Sequence, residues 1–314
     1  MSMKKKVSFV IPCYRSAQTI ESIVEEIEVT VKNKIDYEIV LVNDSSPDNT
    51  FGVISAICRR NNKVIGINFA QNFGQHAALM AGLRHTTGDI VVCLDDDGQT
   101  PADEVFKLIN KIDEGYDVVY AKYEGKKHSL FRNLGSKLNF KMTESLLNKP
   151  KDLYISSYFA VRRFVVEQML EYHNPYPYVI GLILRVTKNI ANVEVKHRAR
   201  ENGESGYTLK KLIALWVNGF TAFSVKPLRL ASFTGVMVAI IGFISMICTV
   251  INRIANPSVP LGWSSTMAVL LVLGGLILLV LGMIGEYIGR IYICINNSPQ
   301  YVIKEIIKNE TEKD

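Results

Sequence analysis

Three consecutive aspartates, Asp95, Asp96 and Asp97, follow the apolar run DIVVCL at residues 89–94 and precede Gly98-Gln99-Thr100-Pro101. Carboxylates this close repel one another unless a cation neutralises them. The alternate side chains Asp95 and Asp97 can converge on one divalent ion. Mg²⁺ or Mn²⁺ held by one or two carboxylates keeps its other positions for phosphate oxygens and water, so the pair reads as a seat for a metal-bound diphosphate. The competing reading is local: aspartates also cap the turn before a helix opening at Pro101. Two further polar clusters end apolar runs, Pro12-Cys13-Tyr14 and Asn43-Asp44-Ser45-Ser46. Asp44 could accept hydrogen bonds from a base or a ribose, or it could serve the turn that Asp-Ser-Ser-Pro favours.

These clusters do chemistry together only if the fold brings them to one place. Residues 7–12, 38–43, 64–68, 89–94 and 118–122 are short β-rich runs. Between them the spacing predicts helices at 19–32, 49–60, 75–86 and 101–114. The first of these places Ile20, Ile23, Val24, Ile27 and Val31 on one face. Apolar strands alternating with helices predict an α/β fold with a doubly wound, mostly parallel sheet. Ligands of such sheets bind beyond the carboxyl ends of the strands, where all three clusters fall.

The chain of 314 residues has mean hydropathy +0.14 although 21% of its residues are charged, which implies a polar part and an apolar part. The formal charge of +6 is spread along the chain. That suits nearness to anionic lipid or phosphate and speaks against a nucleic-acid partner, which would concentrate Lys and Arg on one element. Cys13, Cys58, Cys93, Cys248 and Cys294 lack metal-site spacing and read as buried apolar residues in a reducing compartment. Lys4, Lys5 and Lys6 precede an apolar run that stops at Pro12, too short for a signal peptide, so the polar part is expected in the cytoplasm.

Residues 126–149 are basic and amphipathic. So are residues 207–223, where Lys210 and Lys211 stand beside Leu, Ile, Trp and Phe; an interfacial helix is expected there. Residues 230–251 and 262–285 carry no charge, and each is about the 20 residues needed to cross a bilayer, predicting two transmembrane helices. Lys210, Lys211, Lys226 and Arg229 precede the first, Arg290, Lys304 and Lys308 follow the second, and only Arg253 lies between. The bias puts the catalytic part and both termini in the cytoplasm of a multi-pass inner-membrane protein. Glu286 with Arg290 reads as an interfacial i,i+4 ion pair, and His76 divides between a structural role and a donor contact.

The segments VIPCYR, EIVLVNDSSPDNT, NFGQHAALMAGL and LDDDGQTP resemble glycosyltransferase family 2, whose members have a GT-A fold and use nucleotide-diphosphate sugars. Asp95-x-Asp97-x-Gln99-x-Pro101, the RxxGxSxY pattern from Arg200 to Tyr207, and MIGEYIGRIY at 283–292 are similar to the polyprenyl-phosphate branch, which includes dolichol-phosphate mannose synthase and the undecaprenyl-phosphate transferases. The resemblance implies a division into a nucleotide-sugar core (1–125), an acceptor side (126–206), an interfacial helix (207–229), a two-helix anchor (230–289) and a cytoplasmic tail (290–314). It implies that Asp95 and Asp97 hold Mg²⁺ or Mn²⁺ and the donor diphosphate, supported by Gln99. Pro12, Tyr14 and Asp44 would surround the nucleotide, UDP being favoured. Arg132 and Ser136 would handle phosphate, and Arg200 and Ser205 would face the acceptor phosphate. The partners implied are a nucleotide sugar, a polyprenyl phosphate and the membrane; a homo-oligomer stays open.

Two positions depart from the pattern. Arg15 replaces the usual Asn, and Ser156-Ser157-Tyr158-Phe159-Ala160 stands where relatives have an acidic residue. No carboxylate base is therefore expected from that segment. None is required, because a phosphate monoester with a second pKa of about 6 is already nucleophilic at neutral pH. Alternative readings are a processive polysaccharide synthase, disfavoured by the missing QxxRW motif, and a catalytically silent nucleotide-sugar-binding scaffold.

Overall fold

Strand β1 (Lys6–Cys13) is buried from its second residue onward, as an interior strand covered on both faces must be. It pairs in parallel with β2 (Asp36–Asn43) and, on its other side, with β4 (Ile90–Cys93); β2 continues in parallel to β3 (Val64–Phe69). The reversal of direction around β1 leaves a crevice at the carboxyl ends of β1 and β4, a switch point of the kind where doubly wound sheets bind ligands. Helices α1 (Ile20–Val31), α2 (Thr50–Arg60), α3 (Gln75–Arg84) and α4 (Val105–Asp113) connect these strands and lead into β5 (Val118–Tyr123). The buried residues of α1 are Ile20, Ile23, Val24, Ile27 and Val31, the apolar face expected from the spacing. A 3₁₀ turn, Ala102–Glu104, precedes α4, so the helix starts later than Pro101.

The structure is a computed structural model and describes residues 5–123, 150, 153–196, 226–255, 262–296 and 298–309. The expected contributions of Arg132, Ser136, Arg200 and Ser205, and the amphipathic stretches 126–149 and 207–223, lie outside the described residues. Beyond the five expected strands the sheet gains β6 (Phe159–Arg162), β7 (Ile190–Val195) and β8 (Ile303–Lys308), with helices α5 (Arg163–Leu170) and α6 (Val179–Val186) between β6 and β7. Strand order is β7-β5-β6-β4-β1-β2-β3-β8. β6 runs antiparallel between β4 and β5, and β8 antiparallel along β3. The sheet is therefore mixed: β4, β1, β2 and β3 are parallel, β6 is antiparallel to both its neighbours, β5 and β7 are again parallel, and β8 is antiparallel at the far edge.

The tail corrects one expectation. Residues expected to trail after the anchor return to the sheet as β8 and cover the edge of β3. The chain accordingly divides into two compact units, Met1–Gly206 with Asn297–Asp314, and Tyr207–Asn296. The second unit contains two long helices, α7 (Lys226–Ala255) and α8 (Trp263–Ile295). Among the described residues, one helical stretch, Val272–Ile295, is long and apolar enough to cross a membrane; Ala231–Ser245 in α7 is apolar but shorter.

α3 approaches the sheet closely at Gly82. A Cβ added at Gly82 would come within 2.3 Å of Val10 Cγ1 and 3.3 Å of Val42 Cγ2. Both valines are fully buried in neighbouring strands and have no room to move. Gly82→Ala is therefore expected to destabilise the protein by about 1–3 kcal/mol through overpacking. Alanine's helix propensity, worth ~1 kcal/mol, works in the opposite direction. Thermal melting checks this, and a variant that melts higher than wild type would refute the close packing.

Candidate active site

The ends of β1, β2 and β4 meet at one edge, and three carboxylates organise it. Asp96, the middle aspartate, accepts the Tyr14 N–H at 2.9 Å and the Ser16 hydroxyl, while its carbonyl accepts Thr19 Oγ1 at 2.6 Å. It ties the aspartate loop to the turn between β1 and α1. Arg15 sits in that turn with φ +60°, its N–H bonded to Ser46 Oγ at 3.1 Å and its guanidinium over the Tyr14 ring. Tyr14 is 47% exposed and open to a ligand, whereas Pro12 is buried in β1.

Asp44 performs a matching task on the other side. Its Oδ1 accepts the Phe73 N–H at 2.7 Å and its Oδ2 the Gly74 N–H at 2.8 Å. Its carbonyl accepts Asn72 Nδ2 at 3.1 Å. With only 4% of its surface exposed, Asp44 clamps the loop that opens α3. Burial raises its pKa, and the two N–H donors act against that shift. Gly74 has φ +88°, which glycine adopts without strain.

Asp95 is oriented from two directions. Gln75 Nε2 donates to Oδ1 at 2.9 Å, and the Ser157 hydroxyl donates to Oδ2. Burial pushes its pKa up to about 6, and the nearby Asp97 and Asp96 add to the rise. Asp97 Oδ1 accepts the Gln99 N–H at 3.1 Å across Gly98, which has φ +71°. Tyr123, at the end of β5, also feels Asp95 and Asp97; burial raises its pKa to about 12, so it stays a neutral phenol at neutral pH. Burial lowers the pKa of His76 to about 4, so its ring is neutral, packed edge-on against Tyr178 at 5.1 Å.

Sequence reasoning brought Asp95, Asp97, Gln99, Tyr14 and Asp44 to one edge, and there they are. It passed over Asp96, Gln75, Ser157 and Tyr123. The signals for Asp96 and Gln75 were present, an extra acid in the aspartate run and an amide at a helix start. Ser157 reaches the site only through the antiparallel β6, which local pattern does not announce.

The residues fit a divalent cation. Among the described residues no Lys, Arg or His forms an ion pair with Asp95, Asp96 or Asp97. Nor do the described residues contain a group of three or more His, Cys, Asp or Glu side chains able to hold a metal by themselves. A cation here would thus take one or two carboxylates from the protein and its remaining oxygens from ligand and water, as Mg²⁺ and Mn²⁺ do at phosphate sites.

The raised pKa of Asp95 has a testable sign. Its folded value of about 6 lies above the ordinary 3.8, so in the metal-free protein the ionised side chain lowers stability above pH 6. That penalty fades as pH falls through 6 and vanishes near the unfolded value. In EDTA, Asp95→Asn is expected to melt higher than wild type at pH 7.5, with the difference shrinking towards pH 4. A variant that melts lower by the same amount at both pH values would show that the carboxylate serves only as a hydrogen-bond acceptor.

Comparison with solved structures matches this fold to glucosyl-3-phosphoglycerate synthase from Mycobacterium tuberculosis. In complex with Mn²⁺, UDP-glucose and phosphoglyceric acid, that enzyme aligns at 22% identity and TM-score 0.51, over 66% of this chain and 74% of that one. Its complex with Mn²⁺, UDP and phosphoglyceric acid aligns at 23% identity and TM-score 0.52, over 67% and 74%. At this identity the likeness speaks for the fold, a GT-A-like α/β architecture with a mixed sheet. The model of the GtrB C-terminal hairpin matches residues 226–291, covering most of α7 and α8. The model of glycosyl transferase family 2 matches residues 8–170, more than half of the chain and the whole carboxylate edge, and the protein belongs to that family.

Proposed function

We propose that the protein transfers a sugar from a nucleotide-diphosphate donor, UDP-linked by preference, to a polyprenyl phosphate at the cytoplasmic face of a membrane. The observation that carries this reading is the aspartate cluster, without a cationic partner among the described residues, at the switch point of a family 2 fold. Asp95 and Asp97 would hold Mg²⁺ or Mn²⁺, which when bound supplies positive charge to the donor diphosphate. Gln75 and Ser157 keep Asp95 aimed. Tyr14 offers an exposed ring beside the nucleotide. A solved relative of the same fold holds Mn²⁺ and UDP-glucose, which supports this donor class.

The acceptor is argued from the second unit. The hairpin match names GtrB, a polyprenyl-phosphate glycosyltransferase. Strand β8 supports two crossings instead of one. It pairs with β3 in the same sheet as β1, so residues on both sides of the hairpin share one aqueous compartment. Any chain joining them crosses a bilayer an even number of times. If Val272–Ile295 spans, a second crossing is needed, and we assign it to α7, although its apolar stretch is shorter. The Lys and Arg bias puts the shared compartment inside.

The chemistry needs no base from the protein. An oxygen of the acceptor phosphate forms the new bond to the sugar's anomeric carbon as the bond from that carbon to the donor phosphate breaks, and the nucleoside diphosphate leaves with the electron pair. The segment with Ser157 contributes a hydroxyl to Asp95 and no carboxylate, consistent with an acceptor that is already ionised. Arg132, Ser136, Arg200 and Ser205 are proposed to hold the two phosphates, and charge-assisted hydrogen bonds of that kind are the strong ones.

Purified protein given UDP-sugars and undecaprenyl phosphate should form a lipid-linked sugar detectable by mass spectrometry. Excess chelator should abolish it and Asp97→Asn should reduce it at least a hundredfold, about 2.7 kcal/mol. Full activity in chelator would remove the metal from the mechanism, and no lipid product from any nucleotide sugar would remove the acceptor. Topology is checked separately. A cysteine at Ser258 should react with an impermeant maleimide from outside the cell, and one at Glu310 should not. Equal labelling at both positions would refute the two-crossing arrangement.

A further inference from the structure

The residues that follow α8 do more than close the edge of β3. Val302 accepts the Ala70 N–H at 2.9 Å, where β3 runs into the loop before α3. Tyr301 stacks on Phe69 with centroids 5.3 Å apart and planes 7° from parallel. Phe69 in turn meets Phe73 edge-on at 5.7 Å. Phe73 and Gly74 give their N–H groups to Asp44, and Gln75, the next residue, donates to Asp95. A continuous line of contacts therefore runs from the tail to the carboxylate proposed to hold the metal.

The loop needs such support. Gln71, Asn72 and Gln75 are exposed, Phe73 and Gly74 only half-buried. α3 is packed on the sheet from Ala77 onward, and ahead of it Tyr301, Phe69 and Asp44 hold the loop that leads into Gln75. The tail itself is held firmly: Gln300 Nε2 donates to the carbonyls of Tyr172 and Asn174 at 3.3 and 3.0 Å, and β8 is paired along its length.

We propose that Tyr301 is a positioning residue for the donor site: through Phe69 and Phe73 it fixes the loop at residues 70–75 so that Gln75 aims Asp95 at the metal-bound diphosphate. The stretch of chain leaving the hairpin is then part of the donor site's support. The proposal rests on the reading that Asp95 and Asp97 bind a nucleotide diphosphate through a divalent cation.

The test uses the full-length protein in detergent, with Mn²⁺-dependent UDP binding by calorimetry and transfer kinetics with donor and acceptor varied in turn. Tyr301→Ala should weaken UDP–Mn²⁺ binding and raise donor KM roughly three- to tenfold, the fold-change equivalent to losing one aromatic pair. Acceptor KM should stay within about twofold, a change too small to signal a lost contact. Tyr301→Phe, which keeps the ring, should restore donor KM. Gln75→Ala, an exposed change beyond the stack, should reproduce the donor defect without lowering the melting temperature.

Three results overturn the proposal: unchanged donor affinity in Tyr301→Ala, equal losses for donor and acceptor with a lower melting temperature, or wild-type donor affinity in Gln75→Ala. Asp97→Asn separates the two layers. If it binds UDP–Mn²⁺ as wild type does, the metal reading has failed and the proposal falls with it. If it loses binding while Tyr301→Ala retains it, the proposal alone fails.

Discussion

A carboxylate taken out of water must be given hydrogen-bond donors, and this constraint shapes the edge of the sheet. Asp44 and Asp96 meet it by recruiting backbone N–H groups, two from the loop before α3 and one from the turn after β1. Each pins a loop to a strand end it does not follow in sequence. Asp95 is met by an amide and a hydroxyl from side chains, and burial raises its pKa, with the neighbouring Asp97 and Asp96 adding to the rise. Two anions spend their charge on holding the frame. Asp95 and Asp97 are the pair proposed above to take a cation.

The frame works because the central strands are parallel. β1, β2 and β4 all point their carboxyl ends the same way, so clusters far apart in sequence converge without any long-range design beyond the winding of the sheet. Close packing of α3 on β1 and β2 then matters for function as well as stability. The first residues of that helix carry Gln75 and His76, and the helix packs against β1 and β2 at Gly82.

The core of this arrangement was legible in the sequence. Apolar runs separated by amphipathic helices predict the parallel strands, and the periodicity of α1 named the side chains that are buried. Asp95, Asp97 and Gln99 were recognisable because local sequence encodes a turn after a strand. β6, β7 and β8 were not, for a physical reason. The strand FAVR is four residues long, IANVEV is mostly half-buried, and IKEIIK alternates weakly at an exposed edge. Their identity as strands comes from partners far away in the chain. The hydrogen bond from Ser157, just ahead of β6, to Asp95 was hidden with them. Asp44 shows the opposite case: the residue was found, but whether it served a ligand or a loop depended on Phe73 and Gly74, some thirty positions on.

The place of β8 has a consequence for synthesis. A ribosome adding roughly 5–20 residues per second needs about 5–20 seconds to travel from β7 to β8, with the whole hairpin made in between. Throughout that interval β3 offers an unpaired edge, the surface on which nascent chains aggregate. The strand that closes it cannot arrive until both hydrophobic helices have left the exit tunnel. The edge of β3 therefore stays open for as long as the ribosome takes to make both helices, and its closure is among the last steps of folding.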